Sequence, residues 1–235
     1  MINSSILTHN TPLMLYLLAN MIKAVIFDMD GTLIDTEPIW VEAEVHVLSE
    51  LGVSINHSNV TETTGMRIDQ VVKYWHNKHP WSSPTIQDVV AKILEQVEKY
   101  IIDHAQALPG AKETVKLCKE AGYTLAVASS SPKSLIDLDI EKLQIKRYID
   151  VAHSGYDEIH GKPDPATFLS TARKLAVEPE ECAVFEDSIN GVTAAKRAGM
   201  FCVAVPPKNV DLKKYHEADV ILGSLLDFDI ESIKE

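Results

Sequence analysis

The sequence predicts an α/β protein: a doubly wound, mostly parallel, Rossmann-like sheet carrying an inserted α-helical domain. Three observations carry this reading. Apolar runs of strand length recur at residues 23–27, 123–128, 148–152, 182–185 and 201–205. Stretches of helical periodicity fill the gaps at 111–121, 132–143, 165–175 and 189–198. Between the first and second strands lies a helical block of about seventy residues, too long for a crossover connection. Near-continuous apolar strands are buried on both faces, which indicates a parallel sheet layered between helices.

In chain order, residues 1–21 read as an N-terminal tail. The apolar run at 13–19 has no Lys or Arg before it and no small-x-small cleavage site after it, so a secretion signal is not indicated. An upstream mis-start, with Met21 as the native first residue, accounts for it. The first strand, 23–27, follows almost at once. Residues 38–51 read as a helix, with Pro38 in its first turn and Gly52 beyond its end. Residues 68–78 and 85–107 read as two more. The expected division is therefore 22–35 plus 109–235 for the core and 36–108 for the helical insert. Its hinges fall at 35–38 and 108–110. In the core, Gly122 and Gly199 stand just past two helices, where a left-handed C-terminal cap is wanted. A short run at 220–222 suggests a last strand.

Composition narrows the partners. Of 235 residues, 34 are acidic and 22 basic, so the net charge is −12, and no basic cluster offsets it. Such a chain repels nucleic acid and anionic membranes. No apolar run reaches the 18 or so residues of a membrane span. No feature of the chain calls for an obligate protein partner. Cys118, Cys182 and Cys202 sit among apolar residues, none in a CxxC pair, which reads as buried free thiols in a reducing, cytoplasmic setting.

Four motifs carry chemistry. Phe27-Asp28-Met29-Asp30-Gly31-Thr32 directly follows the first strand. In open α/β sheets ligands bind beyond the carboxyl ends of strands, where these residues fall. Two acids one residue apart repel unless a cation or a shared proton relieves them. Ser129-Ser130-Ser131-Pro132 ends the second strand and opens a helix, with Ser131 suited to the N-cap and the free N–H groups suited to an anion. Taken alone it is better read as a plain helix cap. Gly161-Lys162-Pro163-Asp164 holds a lysine on a stiff stretch, although a lone lysine is ordinarily a solvated surface group. Glu186-Asp187-Ser188-Ile189-Asn190-Gly191 follows another strand and offers oxygen ligands for magnesium, or a helix cap at Asp187 or Ser188.

In this order the motifs resemble those of the haloacid dehalogenase superfamily, from residue 22 to about 205, with the helical insertion in the place of that family's cap. The stretches Asp35-Thr36-Glu37-Pro38-Ile39-Trp40 and Gly65-Met66-Arg67-Ile68-Asp69-Gln70, with Trp75 and Pro80-Trp81, are similar to its bacterial sugar-phosphatase branch. The resemblance implies a phosphatase acting on a small phosphorylated metabolite: 2-deoxyglucose 6-phosphate, or hexose or hexitol phosphates. It implies Asp28 as nucleophile and Asp30 as general acid and base. It further implies Mg2+ held by Asp28, the Asp30 carbonyl and Asp187, with Glu186 direct or behind them. Ser129, Ser130 and Lys162 would bind phosphate, and Glu37, Trp40 and Arg67 would face the substrate from the cap. Two other functions stay open. One is a β-phosphoglucomutase-type phosphotransferase, favoured by Arg67 and opposed by Trp40 where the mutase carries His. The other is a catalytically inactive binding module on the same fold. A haloacid dehalogenase activity needs neither the second Asp nor magnesium.

Overall fold

The computed structural model describes residues 21–60 and 62–233; the tail at 1–20, and the reading of it as a mis-start, lie outside them. The expected α/β sheet is present as six parallel strands in the order β3-β2-β1-β4-β5-β6. The strands are β1 (Ala24–Phe27), β2 (Thr124–Ser129), β3 (Val151–Ser154), β4 (Cys182–Glu186), β5 (Phe201–Ala204) and β6 (Val220–Ile221). The third lies later than the run at 148–152 suggested, because Lys146–Tyr148 form a 3-10 turn and the strand pairs Ala126 with Val151.

Alternate residues of each strand feed two apolar layers. Val25, Phe27, Val127 and Phe185 face helices α5 (Ala111–Glu120) and α6 (Lys133–Leu143). Ala24, Ile26, Ala126 and Val184 face α7 (Ala166–Leu175) and α8 (Ile189–Arg197). Phe27 and Phe185 stack across β1 and β4 at 5.0 Å between ring centroids, a favourable offset contact at the centre of the sheet. All four residues of β1 are fully buried. The strand order reverses at β1, between neighbours β2 and β4, so a crevice opens beyond their carboxyl ends.

Between β1 and α5 the regular elements of the described residues are all helices: α1 (Glu37–Glu50), α2 (His57–Val60), α3 (Ile68–Lys78) and α4 (Ile86–Asp103). α2 was not expected; four residues carry too little periodicity to register. In α4, Val89, Ile93, Val97 and Ile101 recur every four residues and are buried against α1 and α3. Thr85 closes its start with a capping box, exchanging hydrogen bonds with Asp88. The helix ends at Asp103, short of the expected 107, because the chain turns there into a ribbon with residues 33–35. Asp35 N–H donates to Gln106 O at 2.9 Å and Leu108 N–H donates to Leu33 O at 3.0 Å. Gly110, with φ +85°, packs so close to the Leu226 backbone that a Cβ would meet its nitrogen at 2.5 Å.

Candidate active site

The central crevice collects residues from the ends of β1, β2 and β4, from the loop before α7 and from the helical insert. Asp28 leaves β1 with its N–H bonded to Phe185 O at 2.9 Å. The chain then folds back in one tight turn, in which Leu33 N–H donates to Met29 O at 2.9 Å. Gly31 makes the turn possible. Its φ is +76°, and a Cβ there would sit 2.3 Å from Asp187 Oδ2.

Lys162 is 1% exposed. Its Nζ donates to Asp28 Oδ1 at 2.5 Å and Glu186 Oε1 at 2.6 Å, so it is no surface lysine. Desolvation alone would push its pKa down; the two carboxylates reverse that and hold it above the usual lysine range. Glu186 Oε2 accepts from Ser188 N–H at 2.8 Å and Ser188 Oγ at 3.0 Å. Ser188, not Asp187, caps α8, accepting from Gly191 N–H at 3.0 Å. Gly191 is obligatory, since a Cβ would fall 1.7 Å from Glu186 Oε1.

Ligand atoms of Asp28, Glu186 and Asp187 lie within 4.8 Å of one another, all buried. One lysine leaves this trio with excess negative charge. Burial first, then the neighbouring acids, raise the pKa of both Asp28 and Asp187 well above the ordinary value. Asp187 Oδ2 is buried with no hydrogen-bond partner. An orphaned acceptor among clustered carboxylates fits a hard dication with oxygen ligands.

Asp30 is saturated by donors. Its Oδ1 accepts from Thr36 Oγ1 at 2.7 Å and Trp40 Nε1 at 2.8 Å. Its Oδ2 accepts from Ser131 Oγ at 2.7 Å and Ser129 Oγ at 3.2 Å. Ser131 therefore does not cap α6, as its position suggested; Pro132 stands at that N-cap without a side-chain bond. Ser130 Oγ is also engaged, donating to Gly65 O of the insert at 2.8 Å.

One cavity joins these groups. Asp28, Asp30, Asp187 and Ser129–Ser131 form its floor, and Glu37, Trp40, Val41, Glu44, Val60, Thr63–Met66 and Ile68 form its roof. Burial and the charges of Asp30 and Glu186 push the Glu37 carboxyl up to about 7. Arg67 is the one expected residue placed elsewhere. It pairs with Asp69, lies over Tyr156, and donates to Gly155 O at 2.9 Å and Glu158 O at 2.7 Å. It fastens the insert to the core instead of lining the cavity, because residues 155–158 pass directly beneath it. The sequence reading missed Glu44, and it missed the hydrogen bonds of Thr36 and Ser131 to Asp30. The available signal for Glu44 was an acid at the i+7 position from Glu37 on a core-facing helix stripe.

The sequence model of the haloacid dehalogenase-like hydrolases matches residues 25–205. Hexitol phosphatase B of Escherichia coli is 39% identical over 206 residues, covering 87% of this chain and 93% of that protein. A phosphorylated carbohydrates phosphatase of Thermotoga maritima is 32% identical over 184 residues, 76% of this chain and 82% of that one. Among solved structures, a variant of CbbY from Rhodobacter sphaeroides in complex with xylulose-1,5-bisphosphate matches with a TM-score of 0.80 at 25% identity, over 92% of this chain and 100% of the other. The floor of clustered acids around one lysine now has its family: the chain belongs to the haloacid dehalogenase-like hydrolases, as a phosphatase among them.

Proposed function

We propose that this protein is a magnesium-dependent phosphatase of small sugar or sugar-alcohol phosphates, acting through an aspartyl-phosphate, with the 36–108 insert as its cap. The observation that carries the reading is the buried Lys162 bridging Asp28 and Glu186 beside the orphaned Asp187 oxygen. The names of the relatives, hexitol phosphatase and phosphorylated carbohydrates phosphatase, support the substrate class. The buried free thiols support a cytoplasmic setting.

With Asp28 Oδ1 held by Lys162, the second oxygen attacks phosphorus. The new Asp28–phosphorus bond forms as the bond to the sugar oxygen breaks, and Asp30 gives the leaving oxygen a proton. Trp40 Nε1–H only donates, so Oδ1 is kept as an acceptor, while Oδ2 faces the Ser129 and Ser131 hydroxyls, which can donate or accept. A water then attacks phosphorus, Asp30 takes its proton, and Asp28 and phosphate are released. Ser129, the Ser130 backbone and the Lys162 charge hold the phosphate oxygens. Asp28, Asp187 and the Asp30 carbonyl would hold Mg2+, with Glu186 behind them. The ion offsets repulsion between carboxylate and phosphate.

Arg67, which keeps a phosphomutase open in the sequence, is committed to the core carbonyls. The test is release of inorganic phosphate from a hexitol phosphate. Activity disappears in EDTA and returns with Mg2+, and Asp28→Asn abolishes it. Turnover persisting in EDTA or in the Asn variant refutes the mechanism. Conversion of β-glucose 1-phosphate to glucose 6-phosphate without net phosphate release would replace it by the mutase.

A further inference from the structure

Helix α1 lies along the roof of the cavity and contributes Glu37, Trp40, Val41 and Glu44 to it. These positions are spaced i, i+3, i+4 and i+7, so they share one face. Trp40 holds Asp30 and so marks the reacting end. Glu44 stands one turn farther, about 6 Å along the helix axis. It is 6% exposed, and its Oε2 finds no hydrogen-bond partner. Its neighbours Ala43, Val47 and Leu48 are buried apolar residues, as a packed helix face requires. An unsatisfied carboxyl in that company works against folding, so its place there calls for a bound group.

The surroundings say what kind of group. Besides α1, the roof of the cavity is Val60, Met66 and Ile68, with Thr63 and Thr64, and among the described residues its lining contains no Lys or Arg. A second phosphate or a carboxylate on the substrate would meet no cation at that end. Burial, and after it the charge of Glu37, hold the Glu44 carboxyl in its neutral form. A neutral carboxyl offers one donor and one acceptor, which matches an alcohol.

Resting on the phosphatase reading above, the geometry points to Glu44 as the specificity residue of this site: its carboxyl hydrogen-bonds a hydroxyl of the leaving group. It thereby selects uncharged, polyhydroxylated phosphate monoesters over bisphosphates and phosphorylated acids. The test compares sorbitol 6-phosphate with p-nitrophenyl phosphate, which has no alcohol to recognise. Glu44→Leu lowers the ratio of the two kcat/KM values by about ten- to a hundredfold, because the hydroxyl loses its partner. It also raises the melting temperature of the free protein, because an orphaned polar group is gone. Glu44→Gln, which keeps a donor and an acceptor, holds the ratio within about threefold of wild type. Equal losses on both esters, or a lower melting temperature for the Leu variant with an unchanged ratio, overturn the assignment and leave the phosphatase standing. A wild-type protein that turns over neither ester removes the phosphatase reading, and this proposal with it.

Discussion

Trp40 shows how one donor fixes the orientation of an acid. The Asp30 carboxyl receives four hydrogen bonds, and only the indole N–H has no second role to play. Trp40→Phe leaves Thr36 alone on Oδ1 and frees Asp30 to turn. The expected result is a fall in kcat on the order of tenfold with little change in KM, since one hydrogen bond near the reacting atoms is lost. Steady-state kinetics on a hexitol phosphate would show it, and an unchanged kcat would remove Trp40 from that task. Gly191 sits under a harder constraint. Any side chain there displaces Glu186 from Lys162, so Gly191→Ala is expected to cut kcat about a hundredfold or more and to destabilise the fold by roughly 1–3 kcal/mol. A urea titration beside the activity assay checks both.

Among elements, the loop leading into α3 is the clasp between insert and core. Arg67 reaches Gly155 and Glu158, Ser130 reaches Gly65, and Asn190 Nδ2 donates to Thr64 O at 2.8 Å. Gly65 approaches Ser188 so closely that a Cβ would lie 2.2 Å from its Oγ. With the insert acting as the proposed cap, its closure would exclude water from the reaction. Arg67→Ala is therefore expected to lower kcat/KM by about tenfold on sorbitol 6-phosphate and p-nitrophenyl phosphate alike, because it loosens closure and not recognition. A loss confined to the sugar ester would return Arg67 to the pocket.

The whole molecule carries a net charge of −12 and buries more acids than cations among its described residues. Asp139 in α6 is fully buried, both its oxygens lack hydrogen-bond partners, and burial, then the charge of Asp30, push its pKa up to about 9 from 3.8 against the opposing charge of Lys142. The folded form thus holds a proton that the unfolded form releases near pH 4. The stabilising contribution of that proton is whole below pH 3.8 and is lost as pH rises toward 9. Asp139→Leu is expected to gain roughly 2 kcal/mol or more at pH 8 and progressively less toward pH 4. Urea midpoints across that range decide it; a gain independent of pH would mean that packing, not the proton, is responsible.

The fold and the floor of the site were open to reading because each depends on local order. Apolar runs set the parallel strands, helical periods set the layers, and acids placed directly after β1 and β4 must fall at the crevice where the sheet reverses. The roof was not open in that way. Whether Arg67 points into the cavity or onto Gly155 depends on which loop passes under the helical insert, and those residues lie 88 positions apart. Ser131 looked like a cap because its partner, Asp30, is 101 residues away. Glu44 went unassigned in the sequence, and only the packing of α1 over the crevice buries it. Contacts between distant segments are chosen by the assembled shape, and no period or spacing in the chain records them.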